Sequence, residues 1–249
     1  MKKFLSVMAF LLFATSANAE LYVGAGGGLV LDANSTYENY YCPFLDLTCD
    51  NEIQNFKGSD LDLDSGAVFG GKAGFFMPFL PWIGFEFNYL QRGIEAEQQP
   101  FSANGPYDTT LVPSLPFDGQ MAVRFSDLRT LGFMVMLRPP ETITRTLLFG
   151  LEPYVGAGIN GSWVTVESIR TFDSGGNPVA SYTGGAPDWG LGPMVSVGAN
   201  VSILPTLKLY TEYKYSKATF RFDEVDDYTT EMDISDHTLM FGLSFNFGL

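Results

Sequence analysis

Past its first nineteen residues the chain has no uninterrupted apolar stretch of about 18 residues, so no helix is long enough to cross a bilayer. Positive charge is scarce. Lys and Arg number 14 against 28 Asp and Glu, a net charge of −14, which excludes nucleic acid as an expected partner. Charged residues are only 17% against 46% hydrophobic and 15% aromatic, a balance that argues against wholesale disorder. Cysteine is limited to Cys42 and Cys49, in C-P-F-L-D-L-T-C. Two thiols without a neighbouring histidine fall short of a zinc ligand set. In an oxidising compartment they are expected to form a disulfide closing a small loop.

The N-terminus has the layout of an export signal. Lys2-Lys3 supply positive charge, residues 4–14 form a short apolar run, and Ala17-Asn18-Ala19 is a small-x-small site before Glu20. Residues 1–19 are therefore expected to be removed, leaving residues 20–249 as one domain.

Period-2 alternation then recurs to the end of the chain, the spacing of strands and not of helices. It marks eight segments, near residues 21–31, 66–77, 82–95, 121–138, 147–164, 189–203, 207–217 and 237–247. In the third, Ile83, Phe85, Phe87 and Tyr89 alternate with Glu86, Asn88 and Arg92. In the seventh, Leu209, Thr211, Tyr213 and Tyr215 alternate with Lys208, Tyr210, Glu212 and Lys214. Short connections at Pro78–Pro81, Pro139-Pro140 and Pro205 alternate with long polar stretches at residues 32–65, 96–120, 165–187 and 218–236. Strict short–long alternation suits an all-β, eight-stranded antiparallel up-and-down transmembrane β-barrel with both termini on the periplasmic side. The long stretches are then four acidic extracellular loops. Trp82 falls at a short-turn end, while Trp163 and Trp189 fall at the opposite strand ends, where interfacial aromatic girdles are expected.

Three stretches carry a family resemblance: P-Y-V-G-A-G-I at residues 153–159, L-Y-T-E-Y-K-Y at residues 209–215 and G-L-S-F-N-F at residues 242–247. They resemble small outer-membrane β-barrels of the outer membrane protein A-like, opacity-type porin-like family. The resemblance covers essentially the whole mature chain. It implies residence in the bacterial cell outer membrane, eight strands, and a C-terminal aromatic strand read by the barrel-assembly machinery. No peptidoglycan-binding segment follows the last strand, so a wall-anchoring role is not expected.

Catalytic and binding motifs are thin. Ser235, Asp236 and His237 are adjacent, but neighbours on a strand face opposite ways and do not make a triad. Asp60, Asp62 and Asp64 imitate the start of a calcium loop, yet Ser65 stands where its glycine belongs and Gly71 where its glutamate belongs. The glycines of residues 24–28 lack the helix and the distant acid of a dinucleotide fingerprint. Asn34-Ser35-Thr36 matches a glycosylation sequon of little weight in a bacterial protein. No cofactor, metal or catalytic residue is expected.

The charges of the inward-facing sets are more informative. Lys72, Arg92, Lys208 and Lys214 share the interior with Glu86, Glu152 and Glu212. An eight-strand barrel leaves room only for side chains, so these are expected to form one ionic network with Asn88, Tyr154 and Tyr210 that plugs the lumen. The leading expectation is a non-enzymatic structural and surface-interaction barrel among outer-membrane lipid and lipopolysaccharide. A narrow porin-like channel is the alternative, and a lipid-modifying enzyme ranks third.

Overall fold

The computed structural model describes residues 20–41, 53–64, 66–105, 115–140, 143–144, 150–225 and 228–248. Residues 1–19, Cys42 and Cys49 lie outside the described residues. No helix among the described residues is long and apolar enough to cross a membrane.

The described residues form one antiparallel sheet of twelve strands. These are β1 (Glu20–Tyr41), β2 (Ile53–Gly58), β3 (Leu61–Leu63), β4 (Ala67–Phe76), β5 (Ile83–Arg92) and β6 (Glu95–Asn104). They continue as β7 (Phe117–Phe125), β8 (Leu128–Leu137), β9 (Leu151–Phe172), β10 (Pro178–Leu204), β11 (Leu207–Val225) and β12 (Tyr228–Gly248). The hydrogen-bonded path runs β10-β11-β12-β1-β2-β6-β7-β9-β8-β5-β4, and the further pairings β10–β9 and β1–β4 bring it back on itself. Near Glu20 the sequence of neighbours around the wall is β1-β4-β5-β8-β9-β10-β11-β12 and back to β1. Farther along β1, β9 and β12, the places of β4, β5 and β8 are taken by β2, β6 and β7.

Twelve elements arise where eight segments were expected because β2, β3 and β6 lie in the stretches expected to be loops, and the segment at residues 121–138 is broken into β7 and β8. β3 ends at Leu63 and β4 begins at Ala67, Gly93-Ile94 separate β5 from β6, and Ser126-Asp127 separate β7 from β8. At the gap between β3 and β6 a side chain replaces the ladder. The Gln99 amide accepts from the Asp62 N–H at 2.9 Å and donates to the Asp62 carbonyl at 2.7 Å.

The expected long loops are mostly strand. Residues 165–187 hold the end of β9, the start of β10 and a turn at residues 173–177. In that turn Asp173 N–H donates to the Asn177 carbonyl, and Gly176 takes the positive φ of 82° that the reversal requires. Residues 218–236 are strand up to Val225 and again from Tyr228.

These stretches read as loops because the two faces of the wall exchange character along the strands. Near Glu20 the outside is apolar: Leu29, Phe69, Phe87, Leu131, Ile159 and Phe241 are all exposed. The inside there is mixed, with buried charges packed beside Val68, Phe76, Leu90, Met134, Met194 and Met240. In the far tier the outside carries Lys57, Asp62, Glu95, Asp118, Arg170 and Arg221, while the inside is a packed apolar core. Tyr37, Phe56, Phe101, Met121, Phe220 and Met232 are members of that core, each at most 1% exposed. On β1 the change coincides with a register shift between Val30 and Asp32. Tyr22 and Val30 face inward before the shift, and Ala33, Ser35, Tyr37 and Asn39 after it. One extra residue in a strand reverses which parity faces in, so a single alternating pattern does not continue through it.

Candidate functional site

The polar interior near Glu20 is built by alternation on strands that meet around a narrow space. Lys72 and Glu86 come from β4 and β5, where Lys72 is opposite Asn88 and Gly74 opposite Glu86. Glu212 and Lys214 come from β11, across the interior. Lys72 Nζ lies 2.8 Å from Glu212 Oε2 and 3.6 Å from Glu86 Oε2. Lys214 Nζ lies 3.5 Å from Glu86 Oε1 and makes a close pair with Glu212. Two cations and two anions thus alternate in one buried cluster, so each charge has an opposite neighbour.

Three tyrosines complete it. Tyr22 Oη donates to Glu86 at 2.8 Å and Tyr154 Oη to Glu212 at 2.6 Å. Lys72 Nζ sits 4.0 Å from the centre of the Tyr210 ring, within cation–π range. Glycine makes room for these rings. A Cβ on Gly74 would fall 2.5 Å from Tyr22 Oη, and one on Gly198 would fall 2.6 Å from the Tyr154 ring.

The remaining expected members lie elsewhere. Arg92 pairs with Asp236 at 2.7 Å, at the level where the polar interior meets the apolar core, and also donates to Ser216 and Thr130. Lys208 and Glu152 meet at 2.6 Å near the mouth, where Glu20 joins Lys208 at 2.9 Å and Arg138 at 2.5 Å. The interior therefore holds three ionic groups along its axis where a single network was expected. Asn88 faces inward, but its side-chain amide has no hydrogen-bond partner among the described residues.

Sequence reading missed Asp236, Glu20, Arg138 and Tyr22 as members. Asp236 shares parity with the inward Thr238 and Met240, which is the signal that could have placed it. It was passed over because residues 218–236 read as a loop. Tyr22 alternates in step with Gly24 and Gly26 and was legible in the same way.

The other candidate motifs are dispersed. Asp236 faces inward to Arg92. Ser235 donates to Asn34. His237 faces outward, with Nδ1 2.5 Å from Tyr213 Oη and its ring packed near Tyr215. Asp60, Asp62 and Asp64 are exposed beside the buried Leu61 and Leu63. No group of three or more His, Cys, Asp or Glu among the described residues could hold a metal ion. On the far tier's outer face, hydrogen bonds from Lys57 and Tyr40 hold the Glu38 carboxyl below its usual range. At the exposed 173–177 turn, hydrogen bonds from Asn177 do the same for Asp173.

No curated protein matches the chain in sequence. Among solved structures it is similar to the outer membrane protein OprG from Pseudomonas aeruginosa, at 14% identity and a TM-score of 0.46, covering 94% of this chain and 97% of that one. Neisserial surface protein A is similar at 14% identity and a TM-score of 0.44, with 91% and 97% covered. The outer membrane protease OmpT from Escherichia coli is similar at 11% identity and a TM-score of 0.45, with 93% and 98% covered. These likenesses carry no argument about activity. Residues 4–247 match the outer membrane protein beta-barrel domain, and the chain belongs to that family of bacterial outer-membrane proteins.

Proposed function

We propose that the protein is a non-enzymatic, non-conducting outer-membrane barrel with a structural and surface-interaction role. Counted around the neighbours at the Glu20 end, it is an eight-stranded up-and-down barrel. Its apolar outer band sits in the bilayer, its short turns face the periplasm, and its far tier stands outside the cell. The N-terminal 19 residues serve as the export signal, and the assembly machinery reads the aromatic C-terminal strand.

The observation that carries this reading is a filled interior. From the Glu20 mouth inward there are the Glu20–Arg138–Lys208–Glu152 group, the Lys72–Glu86–Glu212–Lys214 cluster, the Arg92–Asp236 pair and then a packed apolar core. Ions find paired charges in the first part and tightly packed, mostly apolar side chains in the second. What the chain offers its surroundings is its outer wall and an acidic, strand-built external surface. Planar-bilayer recording of the purified, folded protein tests this, with no steady conductance expected. A stable open channel in the wild-type protein would overturn it in favour of a narrow porin.

A further inference from the structure

The ring of strands that is closed near Glu20 is open at one place in the far tier. The ladder between β10 and β11 ends at Leu191 opposite Thr219. Both strands continue past it, β10 back to Pro178 and β11 on to Val225. Beyond that point β10 pairs only with β9, and β11 only with β12, among the described residues. At the start of the opening the Asp188 carboxylate accepts the Arg221 backbone N–H, a side chain standing where a ladder bond would be. From Pro178 to Pro187, β10 is therefore an edge, and an edge carries a row of unpaired N–H and C=O groups.

Edges that must stay single are blunted by charge, proline or bulges. On β10 the blunting is confined to the two ends. Pro178 and Pro187 lack a donor, and register shifts fall between Pro178 and Ala180 and between Thr183 and Ala186. Between the shifts, Ala180 to Thr183 keep an unbroken register with Thr171 to Ser168 of β9. Residues 178–187, P-V-A-S-Y-T-G-G-A-P, hold no charged side chain, in a chain with 28 acidic and 14 basic residues. Val179, Ser181 and Thr183 are exposed, while Tyr182 between them packs against the apolar core. The middle of the edge is thus regular, neutral and rich in residues that favour strands. A strand laid along it would meet the β10 backbone with one edge and the side of Tyr182 with alternate side chains.

We propose that the β10 edge at residues 179–183 binds an extended, uncharged segment of a separate external protein by β-strand addition. Main-chain bonds to β10 supply the affinity, and alternate apolar side chains beside Tyr182 supply the selection. A second copy in the same membrane does not fit this edge. Strands of a membrane barrel tilt by roughly 35–45°, so copies related by a twofold axis along the membrane normal would cross their β10 strands at about twice that angle. Neighbouring strands in a sheet differ by only about 20–25°. A free segment of another protein has no such constraint and can lie along β10. The inference deepens the surface-interaction role and rests on the outward placement of the far tier given above.

The probe is a synthetic eight-residue peptide of alternating Thr and Val, blocked at both ends and carrying a neutral fluorescent tail. Folded protein in detergent is titrated with it and followed by fluorescence anisotropy. Saturable binding of one peptide per barrel is expected. Methylating every backbone nitrogen of the peptide should weaken binding at least tenfold, because its ladder donors are lost. Val179→Lys combined with Thr183→Lys should weaken it likewise. Gln120→Lys, on β7, which is paired on both sides, should leave it unchanged. Hydrogen–deuterium exchange of the wild-type protein needs no variant to fold. There the peptide should slow exchange within residues 178–187 and not within residues 119–125. Equal binding of the methylated peptide, equal binding by the double variant, or protection only outside residues 178–187 would overturn the site. Protection of that stretch that grows with protein concentration and needs no peptide would also overturn it, since a second copy would then cover the edge. Heat-modifiable gel migration, read on every sample, reports the barrel separately. A folded barrel that binds no peptide rejects the edge alone, whereas binding in detergent without binding to intact cells rejects the outward placement beneath it.

Discussion

Glu212 is the residue on which the Lys72–Glu86–Glu212–Lys214 cluster most depends. It faces Lys72 and Lys214 at close range and accepts from Tyr154, whereas Glu86 holds the same two lysines at 3.6 and 3.5 Å. Removing one member of a buried ion pair leaves the other charge poorly compensated, at roughly 3–5 kcal/mol. Glu212→Ala should therefore cost about that much. Glu86→Ala should cost less, because both lysines keep Glu212. Lys72→Met added to Glu212→Ala should recover part of the loss, since the orphaned cation goes with it. Urea unfolding of the folded protein in detergent, scored by heat-modifiable migration, measures all three. Equal losses for Glu212→Ala and Glu86→Ala would contradict the assigned geometry. At this scale Lys72, Glu86, Glu212 and Lys214 were legible, because alternation on β4, β5 and β11 already places them inside. Asp236 was not, because its strand was read as loop.

The elements explain that failure. Alternation locates a strand when one face is apolar along its whole length. Here β9, β11 and β12 keep going while their apolar face moves from outside to inside, and β1 adds a register shift at the same level. Residues 218–225 present Ala218, Phe220 and Phe222 inward and Thr219 and Arg221 outward, the reverse of Leu209 and Glu212 on the same strand. Mutation should separate the two tiers. Phe220→Ala empties a packed interior position and should cost roughly 3–5 kcal/mol, whereas Arg221→Ala beside it, an exposed position, should change stability by at most about 1 kcal/mol. Phe87→Arg sets a charge on the exposed apolar band and should cost about 2–4 kcal/mol in a bilayer. Unfolding in lipid vesicles compares them. Similar losses for Phe220→Ala and Arg221→Ala would mean that residues 218–225 are not packed strand.

At the scale of the whole molecule, the exchange of faces makes two structures from one wall. Within the bilayer the solvent outside is apolar, so the strands turn apolar side chains outward and close their polar groups inside. In the orientation proposed above, the far tier stands in water, and there the same wall buries its apolar side chains as a soluble protein does. The far tier therefore does not depend on lipid for its core, and it holds Ser168–Phe172 and Ser216–Phe222 in antiparallel ladders. Proteolysis of intact cells distinguishes this from loose loops. Arg170, Lys217 and Arg221 all carry trypsin-sensitive bonds, and all three lie within strands β9 and β11. A protease needs extended, unpaired backbone, and paired strands expose it only by local unfolding. Trypsin added outside cells should leave those three bonds uncut under conditions that digest a flexible surface tag on the same protein. Mass spectrometry of the released peptides checks it. Prompt cleavage after Arg170 or Arg221 would show that the external surface is loop, and that the apolar tier is not a core.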